Sequence, residues 1–258
     1  MATNIKTAAE IEIMRKSGSI LAKVLTELEK VIRAGMSSLE LDQIAEKIIR
    51  DHKAIPSFKG YNGFTGSICV SINDEAVHGI PDQDIIFEEG QIVTIDCGVL
   101  YEGLHTDSAT TFGIGNISKD TEKFIESVRD TLYQAIQMVK PGIRIGEISN
   151  FIETKTTKDG YHVLRELIGH GIGRKLHEPP QVPNYGKPSQ GAVLVPGMTI
   201  CIEPIIGYGT RFIETLEDKW TVVTRDGSLA CQQEHTILVT QTGFEILTLR
   251  ENEKIAKF

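Results

Sequence analysis

At 258 residues and 28.5 kDa, the chain can form one large core or two modest domains. A formal net charge of −8, a pI of about 5.4 and the lack of any Lys/Arg block argue against nucleic acid or an anionic membrane as partner. No apolar run approaches membrane-spanning length, and Met-Ala-Thr-Asn-Ile-Lys-Thr lacks a signal-peptide pattern, so a cytoplasmic protein is expected. Cys69, Cys97, Cys201 and Cys231 are dispersed without a C-x-x-C and read as buried free thiols.

Residues 8–32 carry apolar side chains at a helical period, with a break expected near Gly18. Ser38 reads as the N-cap of a second helix with Leu39, Leu41, Ile44, Ala45, Ile48 and Ile49 on its buried side. Residues 54–66 are loop-like and aromatic, with Phe58, Tyr61 and Phe64 among Gly60, Gly63 and Gly66. Residues 67–73 alternate like a strand and lead to Val77-His78-Gly79-Ile80-Pro81, a turn. Residues 118–139 are helical up to Lys140-Pro141-Gly142, and a fourth helix begins near Ile143. Gly169-His170-Gly171-Ile172-Gly173 follows, then a Pro-rich loop from Glu178 to Pro188. Strands are expected over 199–204, 220–224 and 233–240.

Three pairs of residues recur at an offset of 107: Gly35 with Gly142, Gly90 with Gly197, and Asp96 with Glu203. That distance is too long for a solenoid repeat. It points to two equivalent halves, about 8–112 and 118–240, closing on one shared site in a single domain.

Residues 92–112 read as two β-branched strands joined at Tyr101-Glu102. That turn sets Asp96 directly opposite Asp107, with Cβ atoms roughly 5 Å apart on one face. Like charges so placed repel, and a shared divalent cation removes the repulsion; two solvated aspartates on an edge hairpin are the alternative. A bulge at Gly103 would slip the register by one. Matching halves add Glu203, kept extended by Pro204, and Glu234, a lone acid on an apolar strand. His170, between glycines, can approach the same point. Four carboxylates and a neutral imidazole suit two divalent cations, and thiolate-free ligation favours Mn, Fe(II) or Co, with Zn also compatible.

Other chemistries find less support. Gly169-x-Gly171-x-Gly173 lacks dinucleotide-binding spacing, His177-Glu178 runs into Pro179-Pro180 rather than a helix, and no G-x-S-x-G occurs. Cys69 has no visible activating partner. His52, His105, His162 and His235 read as surface or packing residues, with His235 facing away from Glu234.

The order Asp96, Asp107, His170 in Gly-His-Gly-Ile-Gly, Glu203 in Ile-Glu-Pro and Glu234 in Glu-His-Thr closely resembles type I methionine aminopeptidases, from about residue 8 to 250. The resemblance implies the pita-bread fold, an α/β (α+β) architecture with internal pseudo-two-fold symmetry and a mainly antiparallel sheet covered by two helix pairs. It also implies two divalent metal ions held by Asp96, Asp107, His170, Glu203 and Glu234, with Asp107 and Glu234 bridging. Glu203, His177 and His78 take catalytic roles by the same resemblance. His78 and His177 contact the substrate peptide, and Tyr61, Phe64, Cys69, Trp220 and Phe58 lie at the methionine pocket.

Three positions depart from the family pattern: Phe58 replaces a small thiol, Gly98 a hydroxyl residue and Leu176 an aromatic. The implied chemistry is a metal-activated hydroxide attacking the scissile carbonyl, with Glu203 relaying the proton and His177 stabilising the oxyanion. The implied partner is the N-terminus of nascent polypeptides, met at the ribosome by a monomer, with methionine removed when the next residue is small. A non-catalytic pita-bread binding protein and a proline-directed peptidase are the rival readings.

Overall fold

The computed structural model describes residues 5–253. Among these residues there are four α-helices: α1 (Ala8–Val31), α2 (Ser38–Asp51), α3 (Lys119–Gln137) and α4 (Ile145–Lys158). Thr7 opens α1 by a capping box with Glu10. In α2 the same device uses Ser37 with Glu40, one residue before the expected cap; Ser38 is already helical, and its hydroxyl donates to the Asp82 carbonyl. The expected break at Gly18 is absent. Helix α1 runs through it, because a glycine there lets the Leu247 backbone carbonyl pack where a Cβ would stand.

Strands Ile92–Tyr101 and Leu104–Gly113 form the central hairpin. Its turn is Glu102-Gly103, with φ +46° and +83°, the left-handed pair that a twisted two-residue hairpin needs. The register therefore differs by two residues from the expected one: Asp96 pairs with Ala109, and Asp107 with Gly98. A shift of two preserves the face, so the aspartates are diagonal rather than opposed. Ile68–Ile72 pairs on the other edge, setting Cys69 against Asp96.

A five-stranded antiparallel sheet takes the order Phe244–Ile246, His235–Val239, Thr199–Ile202, Gly169–Gly171, Glu178–Val182. Part of the expected Pro-rich loop is thus strand; Pro179 and Pro180 fall on the outermost strand, where missing N–H donors cost little. Two further departures concern acids: Glu203 and Glu234 stand in breaks, after Thr199–Ile202 and before His235–Val239. The strand expected from Trp220 begins at Val222, because the Trp220 and Thr221 amides donate to Asp218 instead.

Helices α1 and α2 pack on the hairpin around Leu21, Leu25, Leu41, Ile49 and Ile95, while α3 and α4 pack on the second sheet around Phe124, Leu132, Ile148 and Ile200. The offset of 107 recurs in hydrogen bonding. Gly35 N donates to Phe87 O as Gly142 N does to Leu194 O; Ser38 N to Ile85 O as Ile145 N to Ala192 O; Phe87 N to Met36 O as Leu194 N to Ile143 O. Side chains join the sheets directly. Thr236 Oγ1 accepts from Asp107 N and donates to Asp107 O, and Ser108 Oγ donates to Glu234 O. Asp107 and Glu234 are thereby brought together at the seam.

Candidate metal centre and substrate cavity

Asp96, Asp107, His170, Glu203 and Glu234 all face one cavity of about 940 Å³. One carboxylate oxygen each from Asp96, Asp107 and Glu234 lies within 4.8 Å of the others. Asp96 Oδ1, Asp107 Oδ1 and Glu234 Oε1 are buried without hydrogen-bond partners among the described residues. Burial lifts Asp96 to about 7, and burial with neighbouring carboxylates pushes Asp107, Glu203 and Glu234 well above the usual carboxylate range. Orphaned buried anionic oxygens are costly unless something cationic takes them up.

His170 adds an imidazole. Burial first, then the neighbouring His177, lowers its pKa to about 3, so it is neutral. Its Nδ1 lies 2.9 Å from Gly171 O, which fixes Nδ1 as the donor and leaves the Nε2 lone pair 3.7 Å from Glu203 Oε1. Cys201 Sγ also lies near His170 and Glu234, but burial and the adjoining acids hold its thiol protonated, which disfavours it as a ligand. The donor set of carboxylates and one neutral imidazole fits hard-to-borderline divalent cations.

Glu203 is held twice. Asn184 Nδ2 donates to its backbone carbonyl at 2.8 Å, and Gln232 Nε2 donates to its Oε2 at 3.3 Å. Neither residue was anticipated. Gln232 had a signal, since it stands two residues before Glu234 on a strand-like stretch and so shares its face. Asn184, inside a loop-like segment, had none.

The wall above the acids is apolar and aromatic. Phe58, Tyr61, Phe64, Cys69, Leu176 and Trp220 line it, with Phe64 edge-on to Trp220 at 5.1 Å between centroids. Burial and the nearby aspartates raise the Cys69 thiol well above its ordinary value, so it packs rather than reacts. Two departures from the family pattern prove to be one: a Cβ on Gly98 would stand 2.8 Å from Phe58 Cε1 and 2.7 Å from Ser57 Cβ. The ring at 58 occupies the room that a side chain at 98 would take.

Two histidines enter from the sides. His78 sits in the left-handed region at φ +62°, a strained setting for a residue bearing a Cβ, and meets Trp220 edge-on. His177 lies in a bend just before Glu178, outside any strand, as expected. Its Nδ1 is 2.8 Å from Tyr61 OH and its ring 4.3 Å from that of His170. Burial lowers the pKa of both. The remaining histidines are elsewhere: His235 is buried on Thr248, facing away from the acids, and His105 bonds Ser57.

The model of metallopeptidase family M24 matches residues 12–241. Methionine aminopeptidase 1 of Bacillus subtilis is 51% identical over 94% of this chain and 98% of its own length, and methionine aminopeptidase of Escherichia coli K12 is 43% identical over 99% and 97%. Among solved structures, methionine aminopeptidase from Thermotoga maritima superposes with a TM-score of 0.95 at 43% identity, covering 97% of this chain and all of that one. The prolidase from Pyrococcus horikoshii gives 0.76 at 25% identity, with 96% of this chain and 64% of that one covered. The architecture is the pita-bread fold common to both, and this chain belongs to metallopeptidase family M24 and, within it, to the methionine aminopeptidases.

Proposed function

We propose that Asp96, Asp107, His170, Glu203 and Glu234 hold a pair of divalent cations, with Asp107 and Glu234 shared, in an enzyme that removes N-terminal methionine. The single observation that carries this is the trio of orphaned oxygens on Asp96, Asp107 and Glu234 beneath an apolar cavity. The chain is a divalent-metal-dependent aminopeptidase; Mn, Fe(II) and Co suit its oxygen-rich donors, with Zn compatible. When bound, the cations supply Lewis acidity and bring the ionisation of water towards neutral pH.

The rest is the work of side chains. Phe64, Trp220, Phe58, Tyr61 and Cys69 surround an unbranched thioether, whose flexibility and polarizability suit aromatic edges and a thiol. With Tyr61 OH, 2.8 Å away, as donor to His177 Nδ1, Nε2–H is left to donate to the scissile carbonyl as charge develops on its oxygen. His78, edge-on to Trp220, also contacts the peptide. Glu203, steadied by Asn184 and Gln232, takes the proton of the attacking water and passes it to the leaving amine. In this reading the residue after methionine is a small one. Such substrates are nascent chains, met at the ribosome in the cytoplasm; no helix among the described residues is long and apolar enough to cross a membrane.

The likeness to prolidase keeps one rival specific. The test compares Met-Ala-Ser with Xaa-Pro peptides on protein loaded with Mn or Co, alongside elemental analysis. Methionine release with metal uptake is expected. Preferential Xaa-Pro cleavage would overturn the substrate assignment, and failure to take up metal would overturn the site.

A further inference from the structure

Glu178 in the cavity wall belongs to an ion pair that the chemistry above does not use. Lys6 Nζ donates to Glu178 Oε2 at 2.7 Å, and the side chains are only 1% and 4% exposed. Glu178 adjoins His177, and its other oxygen accepts from the Lys175 amide at 2.9 Å. Lys6 is itself anchored, its amide donating to Gly197 O at 2.9 Å. The Lys6 stem lies where a Cβ on Gly173 would be, so the loop 173–178 rests on it. Two more contacts hold that loop: His105 N donates to Gly173 O at 2.7 Å, and Arg174 pairs with Glu10 in the first turn of α1.

We infer that Lys6 is a positioning residue: through Glu178 it fixes the loop carrying His177, so the segment before α1 sets the aim of an active-site imidazole 171 residues away. A buried ion pair is a weak source of net stability, because desolvation offsets most of the attraction, and apolar side chains of similar volume would serve as well. What the pair provides is geometry. Glu178 has its two oxygens committed to different partners, one on the N-terminal segment and one on the loop backbone. Its Cα is therefore held in one place, and with it the start of the strand Glu178–Val182 and the preceding His177. Tyr61 restrains the imidazole from the other side. Lys6 does not line the cavity, so it acts on His177 indirectly, through Glu178 and the loop at Gly173.

The inference rests on His177 serving the reaction, and a double-mutant cycle separates the two claims. Lys6→Met and Glu178→Gln are each made in the otherwise intact, metal-loaded protein and in His177→Ala. A displaced catalytic group commonly costs up to ~100-fold, so Lys6→Met should lower kcat by about 10- to 100-fold with KM changed less than about threefold. Metal content should stay intact, and Lys6→Arg should recover most of the rate. In the His177→Ala background the same change should cost less than about twofold, because the group it positions is gone. Should Lys6→Met not fold, Glu178→Gln carries the cycle, since glutamine keeps the size of Glu178 and an oxygen that accepts from Lys6 Nζ. Wild-type kcat in Lys6→Met, losses that multiply in the His177→Ala background, or metal lost with activity would overturn the inference. Full activity in His177→Ala alone would instead overturn the role of His177, and this inference with it.

Discussion

The residues of the cavity divide by what burial does to them. The acids are forced towards their neutral forms, with one oxygen each of Asp96, Asp107 and Glu234 left without a donor, whereas His170 and His177 are kept neutral and bonded. That division has a direct consequence for His177. In its proposed role as a donor to the substrate rather than a metal ligand, its loss should leave the acids and His170 undisturbed. His177→Ala is expected to lower kcat by about 10²–10³-fold, the usual cost of one oxyanion donor, with metal content unchanged by elemental analysis. A variant that lost metal together with activity would make His177 a ligand. The five candidate ligands could be named from their motifs because each is a distinctive residue in a distinctive local setting. Asn184 could not, since an amide in a loop has no chemistry until its neighbour is known, and Gln232 offered only its spacing of two from Glu234.

Helices and turns were read well where short-range chemistry governs them. Apolar periodicity marked all four helices, and Gly35 and Gly142, both at positive φ, marked where the first helix of each pair gives way. Reading failed where a distant backbone decided the outcome. Gly18 looked like a helix breaker, yet it is the contact point between α1 and Leu247. The expected result of Gly18→Ala follows from that contact. Helix propensity alone predicts a gain of about 1 kcal/mol. A Cβ against a fixed carbonyl should reverse the sign and cost about 3 kcal/mol, the upper end for overpacking. Thermal unfolding decides it: a fall in Tm of several degrees is expected, and a rise would show that the two segments part easily.

At the scale of the molecule, the site is a seam. One half supplies Asp96 and Asp107, the other His170, Glu203 and Glu234, and hydrogen bonds from Ser108 and Thr236 join the two. Metal should therefore act as a staple, and pH should reveal it. In metal-free protein, Asp96 holds its proton up to about pH 7, while an unfolded aspartate releases it near pH 3.9. Over that interval the folded state binds the extra proton, so the stability this contributes is present below about pH 4 and lost as pH rises to about 7. Asp107, Glu203 and Glu234 shift in the same direction. Metal-free protein should therefore unfold at lower temperature at pH 7.5 than at pH 5. Cation at a hundred times its Kd should restore about 2.7 kcal/mol, with a gain that grows with pH as protons cease to compete. Tm measured with chelator and with added Mn at both pH values tests this; an equal metal effect at the two would count against the carboxylate site.

By itself the sequence determined the helices, the turn-forming glycines, the family motifs and the recurrence at 107 residues. Each is written in short windows or in a repeated spacing, and the backbone bonds of Gly35 and Gly142 repeat at the same interval. Tertiary structure decided the hairpin register, because two adjacent turn placements satisfy the same alternation and only the positive φ of both Glu102 and Gly103 selects one. It also decided that Glu203 and Glu234 leave their strands, that Glu178–Val182 joins a sheet, and that Lys6 reaches Glu178. Those outcomes depend on partners far away in the chain, and no local pattern carries the energy of a contact that only folding creates.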